Sequence, residues 1–190
     1  MLRFLTSFLC IAALLAPMTE SASAQVAKEG KSIALRDGLK SMLQAQGAAK
    51  LSKVTVNVDA DGAKMMKESF SIENGSGSYT VYKGLDADDN LIGSVVMVNE
   101  QGKEGPLQVL IAVDPEGSVY DIGFTIFGED KGKPAQTWNF LKQYLGKSSS
   151  DPLTVGKDID AVSGATWTST SVTNAIKRGV VVYKSFVMES

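Results

Sequence analysis

The sequence predicts an α+β domain built on an antiparallel sheet flanked by helices. Two observations carry that expectation. Several short runs of alternating or β-branched apolar residues follow one another closely, separated by turn chemistry. Segments of helical periodicity lie before and after them, without the regular strand–helix alternation of a parallel sheet.

The first helix is expected over Val26 to Gly47, with Ile33, Leu39, Met42 and Leu43 near one face and Gly47 as its terminator. Lys53 to Val58 alternates Val54, Val56 and Val58 with polar partners and reads as a strand. Asp59-Ala60-Asp61-Gly62 reads as the turn that follows. Its acidic series is too short for a calcium loop and lacks the closing glutamate. Met65 and Met66 read as core or as a strand edge. Further strands are expected at Ser78 to Tyr82, Leu91 to Val98, Leu107 to Val113 and Val119 to Phe127. Asp88-Asp89-Asn90 and Pro115-Glu116-Gly117 have turn chemistry, and the second should close an antiparallel hairpin.

Pro134 to Leu145 reads as a helix, with Pro134 in its first turn, Gly146 at its end, and Trp138 and Phe140 as core positions. Lys147 to Pro152 is a Ser-rich loop, and Val155 to Val162 a final extended segment. From about Ser169 to Phe186 the pattern is helical again. Val172, Ile176, Val180 and Tyr183 lie on one side, widened by Val181, Val182 and Val187, and Lys177 and Arg178 fall on a solvated face. No internal repeat or long linker divides the chain.

The N-terminus has the composition of an export signal. Met1-Leu2-Arg3 is a short basic start, Phe4 to Ala16 is almost wholly apolar, and Ala22-Ser23-Ala24 offers small residues for cleavage. The apolar run is shorter than the roughly 20 residues of a membrane-spanning helix. Residues 1–24 are therefore expected to be a signal peptide, and the mature chain to begin near Gln25. The protein would be periplasmic or secreted, or, with the segment retained, anchored to the outer face of the cytoplasmic membrane.

Two absences exclude many chemistries. Cys10 is the only cysteine among the 190 residues, and it lies in the apolar run; there is no histidine. Beyond residue 24 this leaves no disulfide, thiolate nucleophile, cysteine-ligated cluster, histidine metal site or Ser-His-Asp triad. Redox work would need an organic cofactor. The formal charge of −2 is well mixed and contains no basic stripe, so nucleic acid is not an expected partner.

The chemically distinctive stretch runs from Asp160 through Ala161, Val162, Ser163, Gly164, Ala165, Thr166, Trp167 and Thr168 to Ser169. A tight turn of small residues leads into a cluster of hydroxyl residues at the start of the terminal helix, where Thr168, Ser169 or Thr170 should act as the cap. A helix N-terminus with free N–H groups favours phosphate, although a well-capped helix after a turn accounts for the same residues.

The segment resembles the flavin-attachment motif of the FMN-binding domain family, which includes flavin-carrying peripheral subunits of the sodium-translocating quinone reductase and Rnf complexes. Asp160, Ser163, Gly164, Ala165 and Thr166 match the pattern, and Thr168 and Ser169 supply its hydroxyl pair. The resemblance implies FMN joined through its phosphate to the Thr166 hydroxyl by a dedicated flavin transferase, with Asp160 in the sequence that enzyme reads.

The resemblance extends over roughly Tyr79 to Tyr183. Gly102-Lys103-Glu104-Gly105-Pro106 resembles the family's Gly-rich turn, making Gly105 a candidate cofactor-site residue. Glu129-Asp130-Lys131-Gly132 stands where many members have the flavin-contacting Glu-Thr-Pro-Gly; Glu129 and Gly132 remain, while Asp130 and Lys131 depart. Glu129 reads as either a surface carboxylate or a flavin ligand, and Trp167 as a possible ring contact.

The implied organisation is a signal peptide at 1–24, a helix and strand extension at 25–78, and an FMN-binding domain at 79–190. The implied function is extracytoplasmic electron transfer with membrane or periplasmic redox partner proteins. The alternatives are a small flavin-dependent reductase and a membrane-anchored subunit of an electron-transport complex.

Overall fold

In the computed structural model, residues 30–188 are described. The expected signal segment, Cys10 and the first residues of the expected N-terminal helix lie outside them. The chain forms a five-stranded antiparallel meander in the order β1 (Lys50–Val58), β2 (Gly77–Leu85), β3 (Leu91–Gln101), β4 (Pro106–Val113), β5 (Val119–Phe127). Helices cover both faces, so the expected α+β class with an antiparallel sheet holds. No helix among the described residues is long and apolar enough to cross a membrane.

Strand alternation sends neighbouring residues to opposite faces. Opposite pairs in the central ladder, such as Val96 with Ile111 and Val95 with Ala112, feed two separate cores. On one face Val56, Val81, Val96, Val98, Val109 and Ile111 pack under helix α4 (Thr166–Tyr183) and helix α2 (Ala60–Phe70). On the other, Val95, Leu110 and Ala112 meet Leu39, Met42 and Leu43 at helix α1 (Leu35–Met42). Because β3 and β4 are covered on both sides, they read as nearly continuous apolar runs. Gly179 lets α4 lie close to the sheet: a Cβ there would stand 2.9 Å from Ile111 Cδ1.

Several sequence expectations need correction. The first helix starts at Leu35, and a short 3-10 turn at Gln44–Gln46 ends it at Gly47, whose φ of 106° is left-handed. Asp59 does not begin a simple turn. Its carboxylate accepts the Gly62 N–H at 2.9 Å and caps α2, an element the sequence did not predict. Ala63, Met66 and Phe70 give α2 its inward stripe, with Met66 fully buried.

The expected Pro134–Leu145 helix is broken. A 3-10 turn at Lys133–Gln136 stops at Thr137, which is extended with ψ 155°, before α3 (Trp138–Leu141) and a second 3-10 turn at Lys142–Tyr144. Thr137 uses its own hydroxyl to donate to the Pro134 carbonyl at 2.7 Å, a local bond that competes with helix. Phe140 is buried as expected, while Trp138 is half-buried. Val155 to Val162 is not a strand: only a parallel bridge between Val155 and Ile159 forms around a turn. The terminal helix starts earlier than expected and closes in a π turn at Lys184–Met188.

Removing the Met66 side chain tests whether α2 belongs to the same cooperative core. Met66→Ala should lower unfolding free energy by about 2–5 kcal/mol in urea titration, with no second transition.

Candidate functional site

The site forms where the N-terminus of α4 meets two loops from the sheet edge. One is the β3–β4 turn, Gly102–Gly105; the other follows β5, Gly128–Gly132. The two loops hold each other through exchanged carboxylates. Glu129 Oε1 accepts the backbone N–H groups of Glu104 at 2.7 Å and Gly105 at 3.2 Å. Glu104 Oε2 in return accepts the N–H groups of Asp130 at 2.7 Å and Lys131 at 3.2 Å. The second Glu129 oxygen accepts the Thr168 hydroxyl at 2.6 Å, which fixes helix α4 to both loops.

Glycines make this closeness possible. A Cβ on Gly105 would lie 2.6 Å from the Gly128 carbonyl oxygen, one on Gly102 would strike the Glu129 carboxylate, and one on Gly132 would strike Thr168. Glu129 is thus neither a surface carboxylate nor free for a ligand. It is 2% exposed. Burial pushes its pKa up, but the Thr168 hydroxyl and the backbone N–H groups outweigh that and hold it below the usual glutamate range.

The start of α4 departs from the sequence-based expectation. Ala165 occupies the cap position with no side-chain cap bond, and Thr166 is the first helical residue. None of Thr168, Ser169 and Thr170 caps the helix. The Ser169 N–H is the first to find an intrahelical acceptor, the Ala165 carbonyl at 2.9 Å. The amides of Thr166, Trp167 and Thr168 therefore form the open positive end. Gly164 shapes the approach with a left-handed φ of 78°; a Cβ there would meet nothing, so the requirement is conformational rather than steric.

The hydroxyl groups at this end are distinguished by what they already bind. Thr168 donates to Glu129, Ser169 to the Ala165 carbonyl at 3.0 Å, Thr170 to the Thr166 carbonyl at 2.9 Å, and Ser171 to the Gln101 carbonyl at 3.1 Å. Thr173 donates to the Ser169 carbonyl at 2.7 Å. Ser169 Oγ also accepts the Val162 N–H at 3.1 Å, tying down the segment before the turn. Among the described residues the exposed Thr166 hydroxyl has no such partner.

Thr166 lies in a cleft of about 260 Å³ lined also by Gly164, Ala165, Trp167, Thr168 and the two loops, including Lys103 and Lys131. Its two lysines balance its two glutamates in formal charge; both carboxylates are occupied by backbone amides, which leaves Lys103, Lys131 and the three open amides as the groups available to an anion. The Trp167 ring is 64% exposed at the rim.

The structure thus brings Thr166, Gly164, Ala165, Trp167, Thr168 and Glu129 together. Ser163 and Asp160 are exposed and outside the cleft lining; Ser169 is buried beneath it, and Gly105 packs against Gly128. Asp160 is held by backbone, its N–H donating to Gln143 Oε1 at 2.8 Å and its carbonyl accepting from Gln143 Nε2 at 3.2 Å. Sequence reasoning missed Lys103, Lys131 and the role of Glu104. The paired glycines around Glu104 were the available signal, but not its partner 25 residues away. Arg178 is also not on a solvated face. It pairs with Glu100 at 2.8 Å, with both side chains less than one-fifth exposed.

Glu129→Gln should retain the contact to Thr168 but lose the charge-assisted acceptor, lowering stability by about 1.5–3 kcal/mol at neutral pH. Because the folded pKa is depressed, the contribution is present above the unfolded value and is lost as pH falls through the folded one. Denaturation of both proteins across the acid range should show the difference vanish at low pH.

Residues 102–181 match the family model described as "FMN-binding domain". The match opens at the first glycine of the clasped turn and closes in α4. Among curated relatives, the chain is 34% identical over 116 residues to a subunit of the proton-translocating ferredoxin:NAD(+) oxidoreductase complex of Clostridium ljungdahlii, covering 57% of this chain and 60% of that protein. It is 29% identical over 114 residues to a subunit of the ion-translocating oxidoreductase complex of Methanosarcina acetivorans, with the same coverage. The matched stretch spans less than two thirds of either relative. Shewanella oneidensis NqrC, a crystal structure, shares the fold with a TM-score of 0.52 and 20% identity, over 87% of this chain and 93% of that one. Over residues 102–181 the chain is thus similar to the FMN-binding domain family.

Proposed function

We propose that the chain carries one FMN, joined by a phosphodiester to the Thr166 hydroxyl, and serves as an electron-carrying subunit beside an ion-translocating oxidoreductase complex. The observation that carries the attachment site is the hydroxyl inventory of α4. Thr166 alone of that cluster is exposed, unengaged and inside the cleft. The open amides of residues 166–168, with Lys103 and Lys131, suit the remaining phosphate charge; a helix N-terminus contributes roughly 0.3–1 kcal/mol to such an anion.

FMN exchanges one or two electrons and so links donors and acceptors of different stoichiometry. The chain's own task is to hold and orient it. At about 260 Å³ the cleft falls below the roughly 300–1,000 Å³ of pockets that enclose a small ligand. It suits the phosphate and adjoining chain, leaving the ring at the mouth beside Trp167. A ring held there can meet protein partners directly, which favours a carrier over an enzyme with an enclosed substrate pocket.

The named relatives, both subunits of redox complexes, support the same role and a membrane-associated setting. The Phe4–Ala24 segment supports placement outside the cytoplasm, as does a covalent linkage, which prevents loss of cofactor there. The flavin transferase is the maturation partner this reading requires.

Coexpression with a flavin transferase tests the attachment. The wild-type chain should gain the mass of one FMN less water and a visible flavin spectrum. Thr166→Ala should abolish both while folding normally, whereas Ser169→Ala should retain them. Covalent flavin persisting in Thr166→Ala would falsify the assignment.

A further inference from the structure

A second, larger groove of about 830 Å³ lies further along α4. One wall is the helix face that presents Thr170, Asn174, Lys177 and Arg178 at helical spacing. The facing walls come from the Ser-rich loop after α3 and from the end of α2 and the segment after it, where Phe70 contributes apolar surface.

The groove's acids are engaged. Glu73 pairs with Lys67 at 2.8 Å, Glu100 with Arg178 at 2.8 Å, and Asp151 with Lys147 at 3.9 Å. Lys157 and Lys177 form no ion pair among the described residues. Lys177 is half-buried, and burial lowers its pKa; the Asp158 charge opposes this, and the smaller effect of Lys157 adds to it. Asp158 offsets part of the Lys177 charge, although it is also held by Lys147 at 3.0 Å and by the N–H groups of Leu153 and Thr154.

We infer that this groove binds a phosphate monoester of nucleotide size, its phosphate between Lys157 and Lys177. Lys147 is shared by Asp151 and Asp158, so the two unpaired ammonium groups leave a surplus of positive charge that favours an anion. The Arg178 guanidinium, which would suit a planar carboxylate, is already engaged through Nη2 with Glu100 and Nη1 with the Asn99 carbonyl, whereas a lysine ammonium is a point charge that donates to phosphate from any direction. The volume lies within the range of small-ligand pockets. Thr170, Asn174, Ser149 and Ser150 offer hydroxyl and amide partners for the body of the ligand, with Phe70 as apolar contact. The site is separate from the Thr166 cleft, and binding there does not depend on whether flavin is attached at Thr166.

Calorimetric titration of the full chain with AMP, adenosine and inorganic phosphate tests it. AMP should bind saturably, inorganic phosphate more weakly, and adenosine weakest. Lys157→Gln and Lys177→Gln should each weaken AMP by about tenfold, the worth of one charge-assisted contact. Lys177→Gln should melt no lower than wild type, which separates a lost contact from a lost fold. The proposal is overturned if folded protein shows no saturable AMP binding, if adenosine or inorganic phosphate equals AMP, or if both lysine variants bind AMP as wild type does. Binding to anionic phospholipid vesicles without binding to AMP would overturn it as well.

Discussion

The buried carboxylate of Glu129 is the constraint around which the cleft is arranged. A charge 2% exposed persists only if its oxygens are supplied with donors, and the chain supplies them from two places at once. Backbone amides of the Gly102–Gly105 turn take one oxygen, and the Thr168 hydroxyl takes the other. Satisfying this one group therefore fixes the sheet-edge loop, the β5 exit and the first turn of α4 relative to each other. Glu104 returns the bond in the opposite direction, so neither loop can move without exposing an acceptor or orphaning amides.

That arrangement decides which hydroxyl is left for chemistry. A cluster rich in Ser and Thr at a helix start ordinarily spends its hydroxyls on caps and backbone carbonyls. Here Ser169 and Thr170 bond back one turn, Ser171 reaches Gln101, and Thr168 serves Glu129. Thr166 sits one position into the helix, too early to find a carbonyl one turn behind it inside the helix. Its hydroxyl faces a cleft whose lysines and open amides attract anions. A chain without histidine or cysteine in its described part thus presents an unengaged hydroxyl beside a phosphate-favouring helix end.

The central strands were legible because burial on both faces writes long apolar runs, and Val119–Phe127 was read to the residue. Elements whose signal is distributed were not. Helix α2 packs only Ala63, Met65, Met66 and Phe70 against the core, and its cap Asp59 resembles turn chemistry. The Pro134–Leu145 segment has helical spacing throughout, yet Thr137 interrupts it through a local side-chain bond that no periodicity records. Around the site, the order of residue types from Asp160 to Ser169 pointed to the helix start that lines the cleft. The clasp did not show, because it joins Glu104 and Glu129 across the sheet edge, and pairing at that separation is a property of the meander rather than of either loop. Arg178 was misplaced for the same reason: its partner Glu100 is 78 residues away.

The central claim, that a phosphate is bonded to Thr166 at the open end of α4, is tested most directly by phosphorus–proton NMR of the flavin-loaded protein. The account predicts one phosphodiester resonance that does not titrate near neutral pH, correlates with the Thr166 β-proton, and is accompanied by shifts of the amides of residues 166–168. A titrating phosphate monoester resonance, or a correlation to any other residue's protons, would contradict it.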